Sequence, residues 1–234
     1  MKKEKGFTLI ELLAVIIILG LLGLVAYPAI EKTIKNARND LSSSQEKTIE
    51  NAAKNWIADH PYSIPKNNGD ELTISLSQLK IGSYVEQKLI NPKTDKMYDG
   101  KTKIIVKNNN NRYDYRVDFS DTVEQDVSET LVYPNIKIDD NYLVYLKKSE
   151  DYKEVNITIN DNEIFSLIDK SSGVFTSNLE SSNYTVSVTY NNNEQMLDTS
   201  VVGNNLVTYT VTDIITGVKT TIYRNVIVVN EWNV

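Results

Sequence analysis

The sequence predicts an α+β fold, in which a long amino-terminal helix packs on a small antiparallel sheet and is followed by an all-β sandwich. Three observations predict it. Apolar residues first form a nearly continuous run and then recur every three or four positions as far as residue 57. Two segments of alternating apolar residues flank an asparagine-rich turn at residues 108–111. Beyond residue 132, about seven short strand-like segments follow one another, separated by turn residues.

The amino-terminal segment has a short basic leader, residues 1–6, and then an apolar run from Phe7 to Tyr27. The run is about 20 residues long, which is enough to cross a hydrocarbon core of ~30 Å as a helix. The leader is expected to stay in the cytoplasm, so that the rest of the chain lies outside the cell. A secretory signal peptide would carry a small-residue cleavage site after a shorter apolar core, and no such site follows Tyr27.

Glu11 is the single charged residue within this apolar run. A carboxylate inside a membrane helix costs roughly 2.5–3.5 kcal/mol on the insertion scale, so a plain anchor would gain from a leucine here. A charge that is kept at such a cost usually has a partner, and no cation lies between Lys5 and Lys32. The sequence therefore predicts that the partner of Glu11 lies outside its own helix.

The stretch Gly6-Phe7-Thr8-Leu9-Ile10-Glu11, with its charged leader, apolar run and Pro28, resembles the prepilin-peptidase motif of type IV pilins and of the pseudopilins of type II secretion and competence systems. The resemblance covers roughly residues 1–60. It implies cleavage after Gly6 by prepilin peptidase and N-methylation of the new amino terminus at Phe7. It also implies that Glu11 pairs with the amino-terminal amine of a neighbouring subunit, in an apolar filament core where a paired charge fixes the register.

After Pro28, apolar residues keep the three- and four-residue spacing of an amphipathic helix. These residues are Ile30, Ile34, Ala37, Leu41, Ile49, Ala52, Ala53, Trp56 and Ile57. Pro28 removes one backbone hydrogen bond and is expected to kink the helix. Pro61 ends it, because the residue before a proline is disfavoured in the helical region. We therefore expect a helix over residues 7–60, transmembrane over about 7–27, whose outer apolar stripe packs on a globular head.

The head is predicted over residues 61–119. Residues 103–107 and 113–119 are expected to pair as a hairpin, because four asparagines join them and the second segment alternates in period two. Residues 79–100 resemble the loop that many Gram-positive pilins and pseudopilins place before their sheet. Some pseudopilins bind calcium near this loop, but Asp95, Asp99 and Gly100 offer too few oxygen ligands, so no metal or other cofactor is predicted.

Residues 120–132 are acidic, lack apolar periodicity and are predicted to be a linker. Residues 133–234 are predicted to form an immunoglobulin-like (Ig-like) β-sandwich. The candidate strands are Asn135–Ile138, Tyr142–Lys147, Val155–Ile159, Glu163–Ile168, Tyr184–Tyr190, Leu206–Thr212 and Thr220–Val229. The last two, with Gly217 in their turn, resemble the last hairpin of bacterial Ig-like or cadherin-like surface repeats. Tyr142, Tyr145 and Tyr152 are candidates for an exposed binding surface, although tyrosine in β proteins more often serves ordinary packing.

Composition indicates an exported protein without catalytic machinery. The chain has no cysteine, which excludes disulfides and thiol chemistry. Exported pilins of Gram-negative bacteria often carry a disulfide, so under the pilin resemblance its absence, with the many Asn, Ile and Lys residues, favours a Gram-positive source. Its net charge of −6 does not favour nucleic acid as a partner. The single histidine, His60, is expected to be a surface or helix-capping residue. No Ser/His/Asp set, His-rich cluster or phosphate-binding loop appears, so an enzyme is not expected.

These observations predict a structural subunit, a minor pilin or pseudopilin, of a type IV pilus or related secretion filament. The chain would be a single-pass membrane protein with extracellular carboxy-terminal domains, and part of a surface filament after assembly. Its expected partners are prepilin peptidase, an assembly platform protein and other pilin subunits, in a homo- or heteropolymer. A bulky sandwich on every subunit would crowd a filament, which favours a minor subunit with the sandwich displayed for adhesion or subunit contact. The alternative is a membrane-anchored Ig-like surface adhesin that does not polymerise.

Overall fold

A computed structural model describes residues 6–120, 133–138, 141–169, 174–191 and 196–231, without the side chains of 168 and 169. A 51-residue helix, α1 (Leu9–Asp59), precedes mostly β structure in three sheets. The predicted α+β class is confirmed at this level. The predicted linker lies outside the described residues except for Ser120.

Helix α1 runs through Pro28 without interruption. A proline inside a helix has no amide hydrogen for the carbonyl four residues earlier, so a bend at this position stays a prediction. At its end, the His60 amide donates to the Ile57 carbonyl at 3.0 Å, and the His60 ring Nδ1 lies 2.7 Å from the Trp56 carbonyl oxygen. The predicted capping role of His60 is therefore confirmed.

Only the outer end of α1 is buried. The buried positions are Ser42, Ile49, Ala52, Ala53, Trp56 and Ile57. Ile30, Ile34 and Leu41 remain 57, 51 and 57% exposed, so the expectation that the whole outer stripe packs on the head is wrong. The reason is length: the helix beyond Pro28 extends about 48 Å at ~1.5 Å per residue, whereas a head strand of about seven residues spans only ~24 Å.

The head consists of a three-stranded sheet and a short helix. Its elements are β1 (Glu71–Ser75), α2 (Leu76–Ile81), β2 (Lys103–Asn109) and β3 (Arg112–Asp118). The strands pair antiparallel in the order β1-β2-β3, which confirms the predicted hairpin. Its turn places Asn110 and Asn111 at φ of 53° and 65°, a left-handed conformation that asparagine tolerates. Leu72, Ile74, Ile104 and Val106 are fully buried, in one cluster with the outer end of α1.

Two four-stranded sheets follow the head. Their strands are β4 (Ile136–Ile138), β5 (Leu143–Lys147), β6 (Ile157–Ile159), β7 (Glu163–Asp169), β8 (Val174–Ser177), β9 (Tyr184–Tyr190), β10 (Gly203–Asp213) and β11 (Lys219–Val229). The rings of Phe175 and Tyr209 meet between the sheets at a centroid distance of 6.3 Å. Each predicted strand is present, Tyr184–Tyr190 with the predicted bounds and the others with shifted ends. Gly217 has φ of 72° in the last turn. Strand β8 was not predicted, because its two apolar residues, Val174 and Phe175, are adjacent and show no alternation.

The strand order differs from that of an immunoglobulin domain. The two sheets have the orders β4-β6-β7-β8 and β5-β11-β10-β9. If β4 and β5 are counted together as the first strand, β7 is the third strand and β9 is the fifth. In an immunoglobulin domain the third strand lies in the sheet of the sixth and seventh strands, and the fifth strand lies in the other sheet. The two strands are therefore exchanged between the sheets here. The Ig-like topology is therefore not confirmed. Alternation along a strand shows which residues share a face, but not which sheet the strand joins.

Side-chain amides join the head to the sandwich at open strand edges. The Asn225 carboxamide on β11 accepts the Thr73 amide hydrogen at 2.7 Å and donates to the Thr73 carbonyl at 3.0 Å. The Gln78 carboxamide on α2 accepts from the Tyr223 amide at 3.1 Å and donates to the Tyr223 carbonyl at 3.4 Å. Among the described residues, no strand is hydrogen-bonded to this side of β1, and β5 pairs with β11 only from Asn225 onward. Each carboxamide thus makes the two hydrogen bonds that a neighbouring strand would otherwise make. We call Asn225, Thr73, Gln78 and Tyr223 the amide junction.

The tyrosines proposed as an exposed binding surface are instead part of the packing. Tyr142 and Tyr152 are each 9% exposed, and Tyr145 is half-buried. The Tyr145 hydroxyl donates to the Asp70 carboxylate at 2.7 Å, and the Tyr152 hydroxyl accepts from the Arg224 guanidinium at 2.8 Å. Their polar ends are therefore used inside the protein, as is usual for buried tyrosine.

Lys80 on α2 is fully buried. Its ammonium group has only long hydrogen bonds, at 3.4 Å, to the Tyr98 carbonyl and the Tyr133 hydroxyl. Burial disfavours the charged form and lowers the pKa of Lys80 from 10.5 to about 8, while the nearby Asp99 carboxylate partly opposes this shift. In the unfolded chain the same group keeps its proton to higher pH, so burial of the charge opposes folding most strongly below pH 8.

We expect Lys80→Met to stabilise the protein at pH 7 by about 1–3 kcal/mol, because a pKa shift of this size corresponds to roughly 3 kcal/mol and the lost hydrogen bonds offset a part. Between about pH 8 and 10.5 the unfolded chain binds more protons than the folded one, so the native protein should gain stability there and the variant should not. Urea unfolding of the native protein and of the variant, each as the full chain in detergent at pH 7 and 9.5, measures the stability difference and its pH dependence. A variant that is less stable at pH 7 would contradict this account.

Candidate assembly site on the amino-terminal helix

The residues of the predicted cleavage site lie ahead of the helix and are exposed. Gly6, Phe7 and Thr8 precede α1, and Phe7 is 82% exposed. Among the described residues, and leaving aside its chain neighbours, no atom lies within 4 Å of the position that a Cβ on Gly6 would occupy. The peptide bond between Gly6 and Phe7 is therefore open to a peptidase in this conformation.

Glu11 lies in the first turn of α1 and closes a capping box with Thr8. One Glu11 carboxylate oxygen accepts from the Thr8 amide and from the Thr8 hydroxyl, both at 2.8 Å. The Thr8 hydroxyl in turn accepts from the Glu11 amide at 3.3 Å. The sequence argument considered cations alone and therefore missed this neutral local partner. A charged partner for Glu11 outside its own helix stays a prediction. The pattern Thr-x-x-Glu before an apolar run was the signal that could have shown this cap.

The apolar run that follows is not covered by the part of the chain that the structure describes. Among the described residues, α1 is the one helix long and apolar enough to span a membrane, and its most apolar 18-residue window has a mean hydropathy of 2.9 with none of it buried. A core helix of a soluble protein would be mostly buried, and a signal sequence would show the same exposure. An apolar surface of this extent requires lipid or other protein subunits around it.

Beyond Pro28 the uncovered apolar face continues through Ile30, Ile34 and Leu41. The neighbouring Arg38 is tied to the loop between α2 and β2, because its guanidinium donates to the Asp95 carboxylate at 3.0 Å and to the Lys93 carbonyl at 3.2 Å. The helix is thus tied to its own head at Arg38, while the neighbouring Ile30, Ile34 and Leu41 stay more than half exposed.

The acidic residues weighed for calcium do not converge in the part of the chain that the structure describes. Asp95 forms an ion pair with Arg38, whereas an Asp99 carboxylate oxygen accepts from the Lys101 amide at 2.9 Å. No group of three or more histidine, cysteine, aspartate or glutamate residues suited to a metal ion occurs among the described residues.

In the comparison with known proteins, only the amino-terminal segment of the chain matches a known family. The family model described as the prokaryotic N-terminal methylation motif matches residues 1–27, which include Gly6, Phe7 and Glu11 and end before Pro28. No curated protein and no solved structure matches the chain. The match supports an exported subunit of the pilin or pseudopilin type, and it implies processing by prepilin peptidase and assembly with pilins. The exposed apolar helix is consistent with membrane anchoring and surface display.

Proposed function

We propose that this chain is a minor pilin or pseudopilin, a structural subunit of a type IV pilus or a related secretion filament of a Gram-positive cell. The observation that carries the proposal is the methylation motif over residues 1–27. Prepilin peptidase cleaves the chain after Gly6 and Phe7 becomes the N-methylated amino terminus. The chain has no enzymatic role and no nucleic-acid partner, and its function is assembly.

The first step of assembly uses Glu11. In the isolated chain its carboxylate accepts hydrogen bonds from the amide and the hydroxyl of Thr8, which are both neutral donors. After extraction from the membrane by the assembly platform, the charged amine of a neighbouring subunit replaces or joins these donors. Charge-assisted hydrogen bonds are roughly twice as strong as neutral ones, and an unpaired carboxylate in an apolar filament core is heavily penalised.

The second step covers the apolar face beyond the membrane span. Ile30, Ile34 and Leu41 are each more than half exposed in the isolated chain. Packing of neighbouring α1 helices in a filament, homopolymeric or mixed, would bury this face together with the apolar run before Pro28. A monomer in the membrane leaves the outer part of it in water.

The sandwich is carried by the head in one orientation. The amide junction ties Asn225 to Thr73 and Gln78 to Tyr223 through paired hydrogen bonds, so movement of the filament core is transmitted to the sandwich. Its added bulk favours a minor subunit, in which the sandwich is displayed for adhesion or contact with other subunits.

A second candidate function is that of a membrane-anchored surface adhesin that does not polymerise. The capping box favours it, because Thr8 supplies a local partner for Glu11 and the carboxylate then needs no neighbouring amine. This candidate function does not explain the methylation motif at residues 1–27.

The mass of the amino-terminal peptide of the protein recovered from cells tests the proposal. We expect a chain that begins at Phe7 with one added methyl group. The matched control is the same protein from cells that lack prepilin peptidase, which should keep residues 1–6. A chain that still carries the leader in normal cells would overturn the filament proposal in favour of the second candidate.

A further inference from the structure

A cavity of about 310 Å³ opens where the end of α1, the end of α2 and strand β4 meet. This volume lies at the lower end of the range for small-molecule sites, and such sites often occur at junctions between structural units. The cavity is separate from the assembly site, since about 68 Å of helix lies between Glu11 and Trp56 at ~1.5 Å per residue.

Aromatic rings from the head and from the sandwich side line the cavity. The His60 ring stacks on Trp56 with centroids 4.0 Å apart and planes 13° from parallel. Tyr142 meets the edge of Trp56 at 5.1 Å. The Tyr84 hydroxyl donates to the Asp59 carboxylate at 2.6 Å. These rings are therefore held in place before any ligand arrives, which lowers the entropic cost of binding.

The polar side chains around the rings carry amides and an ammonium group. Among the described residues that line the cavity they are Gln78, Asn135 and Lys137, and no carboxylate is one of them. The charge of Lys137 is balanced by Asp161 in an ion pair. Gln78 is used by the amide junction, and the Asn135 Nδ2 group donates to the Asp161 carboxylate at 3.4 Å, so the Asn135 carboxamide oxygen is the amide group left to accept from a ligand. The lining residues carry no carboxylate that would bind a cation, and the positive charge of Lys137, which could bind an anion, is already paired with Asp161.

We propose that this cavity binds a neutral pyranose saccharide. A pyranose ring has an apolar face of C–H groups, which fits the faces of Tyr84 and His60, and an edge of hydroxyl groups, which can exchange hydrogen bonds with Asn135 and Lys137. The proposal names a ligand class for the displayed part of the subunit and rests on the proposed function for its location outside the cell. For a single sugar we expect a Kd on the order of 1 mM, since a ligand of this size has few atoms in contact.

Tryptophan fluorescence can report binding directly. The chain has two tryptophans, Trp56 and Trp232, so Trp232→Phe leaves the cavity residue as the sole emitter. The full chain in detergent is titrated with methyl glucoside, methyl galactoside, N-acetylglucosamine and N-acetylgalactosamine. We expect a saturable change in Trp56 emission with at least one of them, and saturation-transfer NMR signals from the same sugar.

Variants in this background separate the cavity from general adsorption. Tyr84→Ala and Asn135→Ala should weaken the Kd by about tenfold or more, whereas Tyr62→Ala should not change it, because Tyr62 is 81% exposed and does not line the cavity. Circular dichroism confirms that each variant is folded. Absence of a response to all four sugars, or equal binding by the Tyr84 and Tyr62 variants, would overturn this proposal. Such a result leaves amino-terminal processing untouched, so failure of this proposal is distinguishable from failure of the proposed function.

Discussion

Replacement of Glu11 by leucine is expected to abolish incorporation of the chain into filaments, while the protein is still exported, anchored and cleaved after Gly6. Leucine suits an apolar helix better than a carboxylate, so the anchor itself should not suffer. What the substitution removes is the ion pair between Glu11 and the amine of the neighbouring subunit. Removal of one partner of a buried ion pair costs about 3–5 kcal/mol, which corresponds to more than ~100-fold in association.

Glu11→Gln is the matched variant, because it distinguishes pairing from capping. A glutamine can still close the capping box with Thr8, but it carries no charge for a neighbouring amine. If Glu11 serves assembly, glutamine should fail as leucine does. If Glu11 serves only to cap α1, glutamine should assemble normally.

The amount of the chain in filaments sheared from cells, relative to the amount in the membrane, measures the effect of both substitutions. Thr8→Val is the control for the cap, since it removes the hydroxyl that bonds to Glu11 and leaves the charge. We expect this variant to enter filaments to within about twofold of the native level. Normal incorporation of the leucine variant would refute the role assigned to Glu11.

Asn225→Ala is expected to destabilise the folded protein by about 2–4 kcal/mol. The Asn225 side chain is 4% exposed and satisfies both the amide and the carbonyl of Thr73. Its removal leaves two main-chain groups of β1 without partners in a place that water reaches poorly, and each unsatisfied group costs about 1–3 kcal/mol. The amide junction should loosen before the two β units unfold.

Asn204→Ala is the matched control on the neighbouring strand. Its carboxamide oxygen accepts from the Glu71 amide at 3.4 Å, and Asn204 is exposed, so water can replace it. We expect a change within about 0.5 kcal/mol. Urea unfolding of the full chain in detergent measures both variants, and hydrogen exchange at the Thr73 amide should accelerate only in Asn225→Ala. Equal stability of the two variants would show that the amide junction does not hold the sandwich on the head.

Local pattern predicted much of the fold. The helix to residue 59, its capping by His60 and the hairpin with Asn110 and Asn111 each depend on residues within a few positions of one another, and the structure confirms them. Strand positions in the sandwich also followed from alternation. The missed strand, Val174–Ser177, has four residues and is recognised by its pairing with β7.

The residues of the candidate site came from two sources. Glu11 was noticed as the one charge in the apolar run, whereas Gly6 and Phe7 were assigned by resemblance to the prepilin-peptidase motif. The methylation motif matches residues 1–27, which contain all three, and their individual roles stay predictions. The bond between Glu11 and Thr8 was missed, although both residues belong to a short capping pattern. The cavity beside Trp56 could not be predicted, because its walls come from Tyr84, Asn135 and Tyr142, which are far apart in the chain.

The sequence by itself determined the exposed apolar helix, the processing motif and the alternation of the strands, because each depends on side chains that are close along the chain. The tertiary structure alone decided how much of α1 the head covers, which sheet each sandwich strand joins, and that Asn225 and Gln78 fasten the sandwich to the head. Thr73 and Asn225 are 152 positions apart. Contacts of this kind have no local periodicity, since they arise when buried edges need hydrogen-bond partners and whichever side chain the packing brings near supplies them.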